Sequence, residues 1–335
     1  MPLQPATALD GRFQVECLVA RGGQCLVYRG VDLHSGTPVA IKEMQPVPGL
    51  SEAEARARFR KEHDILSEPG PGLPRSHALL LEGGTWYIVE DWIDAEPLES
   101  LGPPPLPVEK AVELTVLLLR ILGALHLRRP PVVVREIRPG NLLVSGEKLW
   151  LVDLSSARRL DGSLDTVAPG PPGFAAPEHY QGRSQRRSDI FSAGALLHYL
   201  LTGQVADLSH LPCSPRTLRP EVPLELDRVV RRATQMDPLN RYDSASEMAR
   251  DLRLVLNPPA PARQAPDRPA LADVKAPRWA VILGLAAGVA VLSAPFLPGP
   301  GLDPVWMALR WSVPALAGVF CLLGLMLLWH GLRPG

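Results

Sequence analysis

From Phe13 to Met44 the chain reads FQVECLVARGGQCLVYRGVDLHSGTPVAIKEM, with apolar side chains recurring at nearly every second position. That period marks half-buried strands. It predicts two strands hairpinned about a glycine turn at Gly22-Gly23, then a third that carries VAIK, Val39 to Lys42. A polar helix rich in alanine and arginine is expected at about 51–67, followed by strands near 77–81 and 86–92. The remainder is mainly helical, at about 108–127, 186–202, 224–235 and 244–255. Strands first and helices afterwards argue for an α+β arrangement.

The pattern changes again after residue 256. Residues 257–277 are proline-rich and hold little that forms a core, so they read as a linker, at most roughly 60 Å long if extended at ~3.1 Å per residue. Trp279 to Leu297 and Trp311 to Trp329 then contain no charged residue. Each run approaches the ~20 residues that cross a hydrocarbon layer. Trp279, Trp306, Trp311 and Trp329 stand near the ends, where such rings settle at the headgroups. The expectation is two transmembrane helices, 278–298 and 311–330, joined by a short external loop, 299–310, and followed by a tail, 331–335. Lys275, Arg278 and Arg333 against Arg310 place both termini in the cytoplasm. Gly284 and Gly288 form a GxxxG pair that suits helix packing or dimerisation.

Composition adds mostly exclusions. The 335 residues carry 35 basic and 35 acidic side chains, so no net field draws the chain to nucleic acid. Cys17, Cys25, Cys213 and Cys321 show neither metal spacing nor a disulfide framework, which fits a reducing compartment. Residues 1–20 lack the pattern of a secretory signal.

The chemistry lies in an ordered series of motifs. VAIK ends at Lys42, and FRKEHDIL places Glu62 twenty residues later. WYIVEDWIDAEPL contains Glu90, Asp91 and Ile93; VREIRPGNLLV contains Arg135, Glu136, Arg138 and Asn141; LVDLSSAR contains Asp153. GFAAPEHY, SDIFSAGALLHYLLTG and DPLNRY supply Glu178, Asp189, Gly194 and Arg241. Singly, each is an ordinary turn residue or solvated charge. In this order, over residues 12–256, they resemble the eukaryotic-like Ser/Thr protein kinases of bacteria. The resemblance implies a two-lobed fold, with a β-rich N-lobe at about 12–91, a helical C-lobe at about 92–256 and an N-terminal tail at 1–11.

It also implies roles. ATP would be held by Gly22, Gly23, Val27, Ala40, Lys42, Glu62, Asp91 and Ile93, with Glu90 guarding the back of the pocket. Glu136, Arg138, Asn141 and Asp153 would carry catalysis, and Asn141 and Asp153 would bind magnesium or manganese through oxygen. The departures cluster. Ala20 and Cys25 replace two of the family's three loop glycines, and Val134, Glu136 and Arg138 replace the His, Asp and Lys of HRDLKPxN. Pro171 stands where the family has a threonine that hydrogen-bonds the catalytic aspartate. Two readings remain open: a membrane-tethered Ser/Thr kinase with impaired activity on an unidentified protein, or a nucleotide-responsive pseudokinase scaffold. On the first, Glu136→Asp should repair the site by shortening the base. Ser155, Ser156, Ser163 and Thr166 fall in the expected activation segment, where Arg135 is a candidate phosphate receiver.

Overall fold

The computed structural model describes residues 2–162, 170–207 and 209–257. The linker from residue 258, both apolar runs, Gly284, Gly288, Cys321, Ser163 and Thr166 lie outside the described residues. Among the described residues, no helix is long and apolar enough to cross a membrane.

The N-lobe is a six-stranded antiparallel sheet in the order β1-β2-β3-β4-β6-β5. Its strands are β1 (Ala8–Leu9), β2 (Phe13–Arg21), β3 (Cys25–Asp32), β4 (Pro38–Met44), β5 (Ser76–Glu82) and β6 (Thr85–Asp91). Alternation divides it into two faces. Tyr28, Val39, Ile41, Tyr87 and Val89 pack with Leu9, Phe13 and Val15 into one apolar cluster. On the opposite face, register pairs Val27 with Lys42 and Ala40 with Glu90, so these four side chains point the same way. The sheet also reaches further toward the N-terminus than the sequence implied. Ala8 and Leu9, assigned to a tail, pair with Gln14 and Phe13. Leu9 is buried because the strand gives it a place in that apolar cluster.

Helix α1 (Glu52–Leu66) begins with a capping box, in which Ser51 and Glu54 each bond the other's backbone N–H. Its buried face runs Ala55, Phe59, Glu62, Ile65 and Leu66. A glutamate in that apolar stripe is sustainable only with a partner.

The C-lobe is built from α2 (Val108–His126), α3 (Arg186–Thr202), α4 (Leu224–Ala233) and α5 (Ala245–Leu256). Short strands lie at its cleft edge: β7 (Glu96–Pro97), β8 (Val132–Val133), β9 (Leu142–Ser145), β10 (Lys148–Leu151) and β11 (Arg158–Arg159). They form a three-stranded β10-β9-β7 sheet and a β11-β8 pair. The turns carrying Glu136, Asn141 and Asp153 hang from these strands. Helix α3 is buried along almost its whole length. A Cβ on Gly194 would lie 2.6 Å from the Cβ of Ala233, so the close approach of α3 to α4 requires glycine there.

Candidate active site

Lys42 leaves β4 on the face turned from the apolar cluster and enters a cage of acids. Its Nζ lies 2.6 Å from Glu62 Oε1 on α1 and 3.0 Å from Glu90 Oε1 on β6, and all three residues are buried. Only the first contact has hydrogen-bond geometry. The Leu154 N–H, next to Asp153, donates to the same Glu62 oxygen at 3.2 Å. Strand, helix and the loop after β10 are thereby tied at one atom. Burial works against the charge on Lys42, but Glu62, Glu90 and Asp153 outweigh it and hold the ammonium well above its ordinary value. Burial raises the acids too. Glu62 is pushed up to about 7 against the pull of Lys42, with Asp153 and Glu90 adding repulsion. Glu90 moves the same way for the same first cause.

The glycine turn closes through a bond from Gly22 N–H to Cys25 O, 2.9 Å, and a Cβ on Gly23 would meet nothing within 4 Å. Cys25 points inward, and burial pushes its thiol up to about 12, so it stands there as a neutral side chain. At the end of β6, the Asp91 carboxylate turns toward the β5 side, accepting from Arg75 N–H at 2.9 Å and lying 2.7 Å from His77 Nε2. Any contact of Asp91 with a base would therefore fall to its backbone. Ile93 follows in the same turn, its carbonyl accepting from Ala95 N–H.

Asn141 and Asp153 come together through the backbone, since Val152 N–H donates to Asn141 O at 2.9 Å. Asn141 spends its Nδ2 donor on the carbonyl of Glu136, 3.1 Å away, which leaves the amide oxygen as its other polar atom. Asp153 has a left-handed φ of 64° and accepts Ser155 N–H on Oδ1. One amide oxygen and one carboxylate fit a hard cation that arrives with phosphates to complete its shell. No group of three or more His, Cys, Asp or Glu suited to a metal occurs among the described residues.

Glu136 is held by one short bond and approached by one longer contact. Ser156 Oγ donates to Oε2 at 2.6 Å, and Arg138 Nε lies 3.5 Å from Oε1. The loop that carries it is fixed from below by the buried Asp189 of α3, which accepts the N–H groups of Val134 and Arg135 and pairs with His126. Arg135, with a φ of 67°, is buried and donates from Nε to Ser156 O at 2.6 Å. Further down, Arg241 grips Glu178 through two bonds of 2.6 and 2.9 Å, and Ser188 donates to the same carboxylate.

Two contacts escaped the sequence. The pairing of Glu90 with Lys42 had one signal, an acid at an inward position of an apolar strand. The bond from Ser156 to Glu136 had none.

Comparison with known proteins bears on the same residues. A family profile described as the protein kinase domain matches residues 13–246. The chain belongs to the protein kinase family. Its kinase domain is 29% identical over 275 residues to serine/threonine-protein kinase C of Synechocystis, covering 74% of this chain and 51% of that one. A probable serine/threonine-protein kinase of Streptomyces coelicolor is 30% identical over 278 residues, with coverage of 74% and 40%. Serine/threonine-protein kinase PrkC of Bacillus subtilis is 26% identical, with coverage of 73% and 40%. The chain thus spans about half or less of these relatives. The crystal structure of the Mycobacterium tuberculosis PknI kinase domain, as a C20A mutant, aligns with a TM-score of 0.63 at 22% identity, covering 76% of this chain and 98% of that one. That likeness speaks to the fold.

Proposed function

We propose that the chain binds ATP with magnesium or manganese and transfers the γ-phosphoryl group to a Ser or Thr hydroxyl of a protein, at a rate below that of kinases with an aspartate base. The observation that carries this reading is the junction at Glu62. Lys42 and the backbone beside Asp153 share one carboxylate oxygen, as a phosphate clamp and a metal loop must if they are to serve one nucleotide. In the proposed reaction Lys42 holds the α- and β-phosphates. Glu136 orients the acceptor hydroxyl and takes its proton as the new O–P bond forms and ADP leaves, and Arg138 offers positive charge beside the γ-phosphate. The metal, held by Asn141 and Asp153, would supply charge neutralisation at the phosphates.

Residues 278–298 and 311–330 complete the reading as membrane spans, with the kinase domain cytosolic and 299–310 outside. Glu136 in place of aspartate and Glu90 upon Lys42 favour the second reading, a nucleotide-responsive scaffold, if transfer proves absent. The deciding experiment incubates the protein with labelled ATP and Mg or Mn, and compares autophosphorylation of the wild type with Asp153→Ala. Thermal shift by ATP without transfer selects the scaffold, and no shift at millimolar ATP in a folded protein removes both readings. Reporter fusions at the two termini test the topology, and a kinase domain labelled from outside intact cells would overturn it.

A further inference from the structure

We propose that Ser156 is the positioning residue for Glu136, supplying from the loop after β10 a hydroxyl that Pro171 cannot supply. The inference rests on the phosphoryl-transfer reading and adds a residue to it. Glutamate carries one more torsion than aspartate, so a glutamate base needs a second point of attachment if its carboxylate is to meet a hydroxyl in one place. Ser156 provides that point with an O–H···O contact of 2.6 Å, a length typical of hydrogen bonds to a charged acceptor.

Ser156 is itself immobilised. Its carbonyl accepts from Arg135 Nε, and Ala157 N–H closes the turn onto Leu154 O at 2.9 Å. Arg135 is fixed in turn through its backbone N–H on Asp189. A single series of bonds therefore runs from α3 through Asp189, Arg135 and Ser156 to the carboxylate of Glu136. Each member restricts the next.

Among the described residues, position 171 offers no equivalent. Pro171 has neither hydroxyl nor N–H, and its carbonyl is taken by the N–H groups of Phe174 and Ala175. The chain still passes close by, since a Cβ on Gly170 would come within 3.1 Å of Arg135 O. What is missing at residue 171 is the donor. Arg138 does not replace it, because 3.5 Å to Oε1 on an exposed side chain steers the carboxylate only loosely.

The test uses the full chain, labelled ATP with Mg or Mn, and casein as acceptor. Ser156→Ala should lower kcat by about 10- to 100-fold, the order expected for a misplaced group. KM for ATP and the thermal shift by ATP should stay within about twofold, because Lys42, Asn141 and Asp153 are untouched. Ser156→Thr, which keeps the hydroxyl, should retain most of the rate, and Pro171→Thr should restore part of it to Ser156→Ala. A kcat within twofold of wild type in Ser156→Ala, or a higher one, overturns the proposal. If wild type binds ATP but transfers nothing, the transfer reading fails separately, and crystal structures of wild type and Ser156→Ala then decide the positioning claim. A Glu136 carboxylate in one place in the first and spread over rotamers in the second supports it; the same place in both refutes it.

Discussion

Glu178 and Glu136 are both carboxylates of the C-lobe, and their surroundings could hardly differ more. Glu178 is buried, gripped by both arms of an Arg241 side chain that is itself wholly enclosed, and bonded again by Ser188. Glu136 sits at the cleft, partly open to solvent, with one short bond and one long contact. The first has every oxygen matched by a donor of fixed geometry, so a change on either side strands a buried charge. The second needs only one good donor, which can approach from more than one direction. On the proposed reading, a glutamate at 136 and a proline at 171 are therefore easier to accommodate at the cleft than a change would be in the frame.

The largest effect should come from breaking the frame. Arg241→Ala should cost about 3–5 kcal/mol in urea unfolding, since it leaves Glu178 charged and enclosed. A loss below about 1 kcal/mol would mean that the two regions are alike in tolerance after all. Next is the cage at the nucleotide side. Lys42→Ala should abolish the stabilisation by Mg·ATP, which in wild type should reach about 2.7 kcal/mol at a hundredfold excess over Kd. Calorimetric melting with and without nucleotide reads this directly.

At the cleft, Glu136→Asp sharpens the comparison because the Ser156 contact argues for the opposite sign to the one expected from sequence. The shorter side chain withdraws the carboxylate from Ser156, so transfer should fall by about tenfold, equivalent to ~1.4 kcal/mol of barrier. Stability should move by no more than about 0.5 kcal/mol. A faster Glu136→Asp enzyme would show that Ser156 restrains the base without helping it.

The smallest effect is a pH dependence. Glu62 holds its proton up to about pH 7 in the folded chain, against a reference of 4.5 unfolded. The folded state thus binds more protons between those values. Its advantage is complete below the window and is lost as pH rises through it. Burial lowers His63 and His198, which act in the opposite direction, so the difference between variants carries the signal. Relative to wild type, Glu62→Gln should be more stable at pH 8 than at pH 5, by on the order of 1 kcal/mol. Parallel curves would place the shared proton elsewhere.

Strands β2 to β6 were legible from their period of two, and the predicted 186–202 helix is α3 to the residue, whereas the short strands β7 to β11 were not expected. Glu62 was legible for another reason, through the motif FRKEHDIL twenty residues after Lys42; that it lies in the buried stripe of Ala55, Phe59 and Leu66 emerged only with the fold. β1 was missed because two residues have no period, and Leu9 becomes core only once β2 lies beside it. The Lys42–Glu90 contact depends on β4 and β6 being neighbours, a pairing made across α1 and β5. Ser156 reaches Glu136 only through the left-handed backbone at Asp153 and Arg135, which nothing in LVDLSSAR or VREIRPGN announces.

Glu90 also bears on pharmacology. On the proposed reading it stands where inhibitors that pass behind the adenine position place an apolar group. Here such a group would be pressed against a buried acid whose near neighbour is an ammonium. Halogenated aromatic rings should be refused, whereas an amidine or aminopyridine that can donate to Glu90 would gain an anchor. Compounds chosen for that donor would discriminate this cleft from kinases with an apolar residue at the same place.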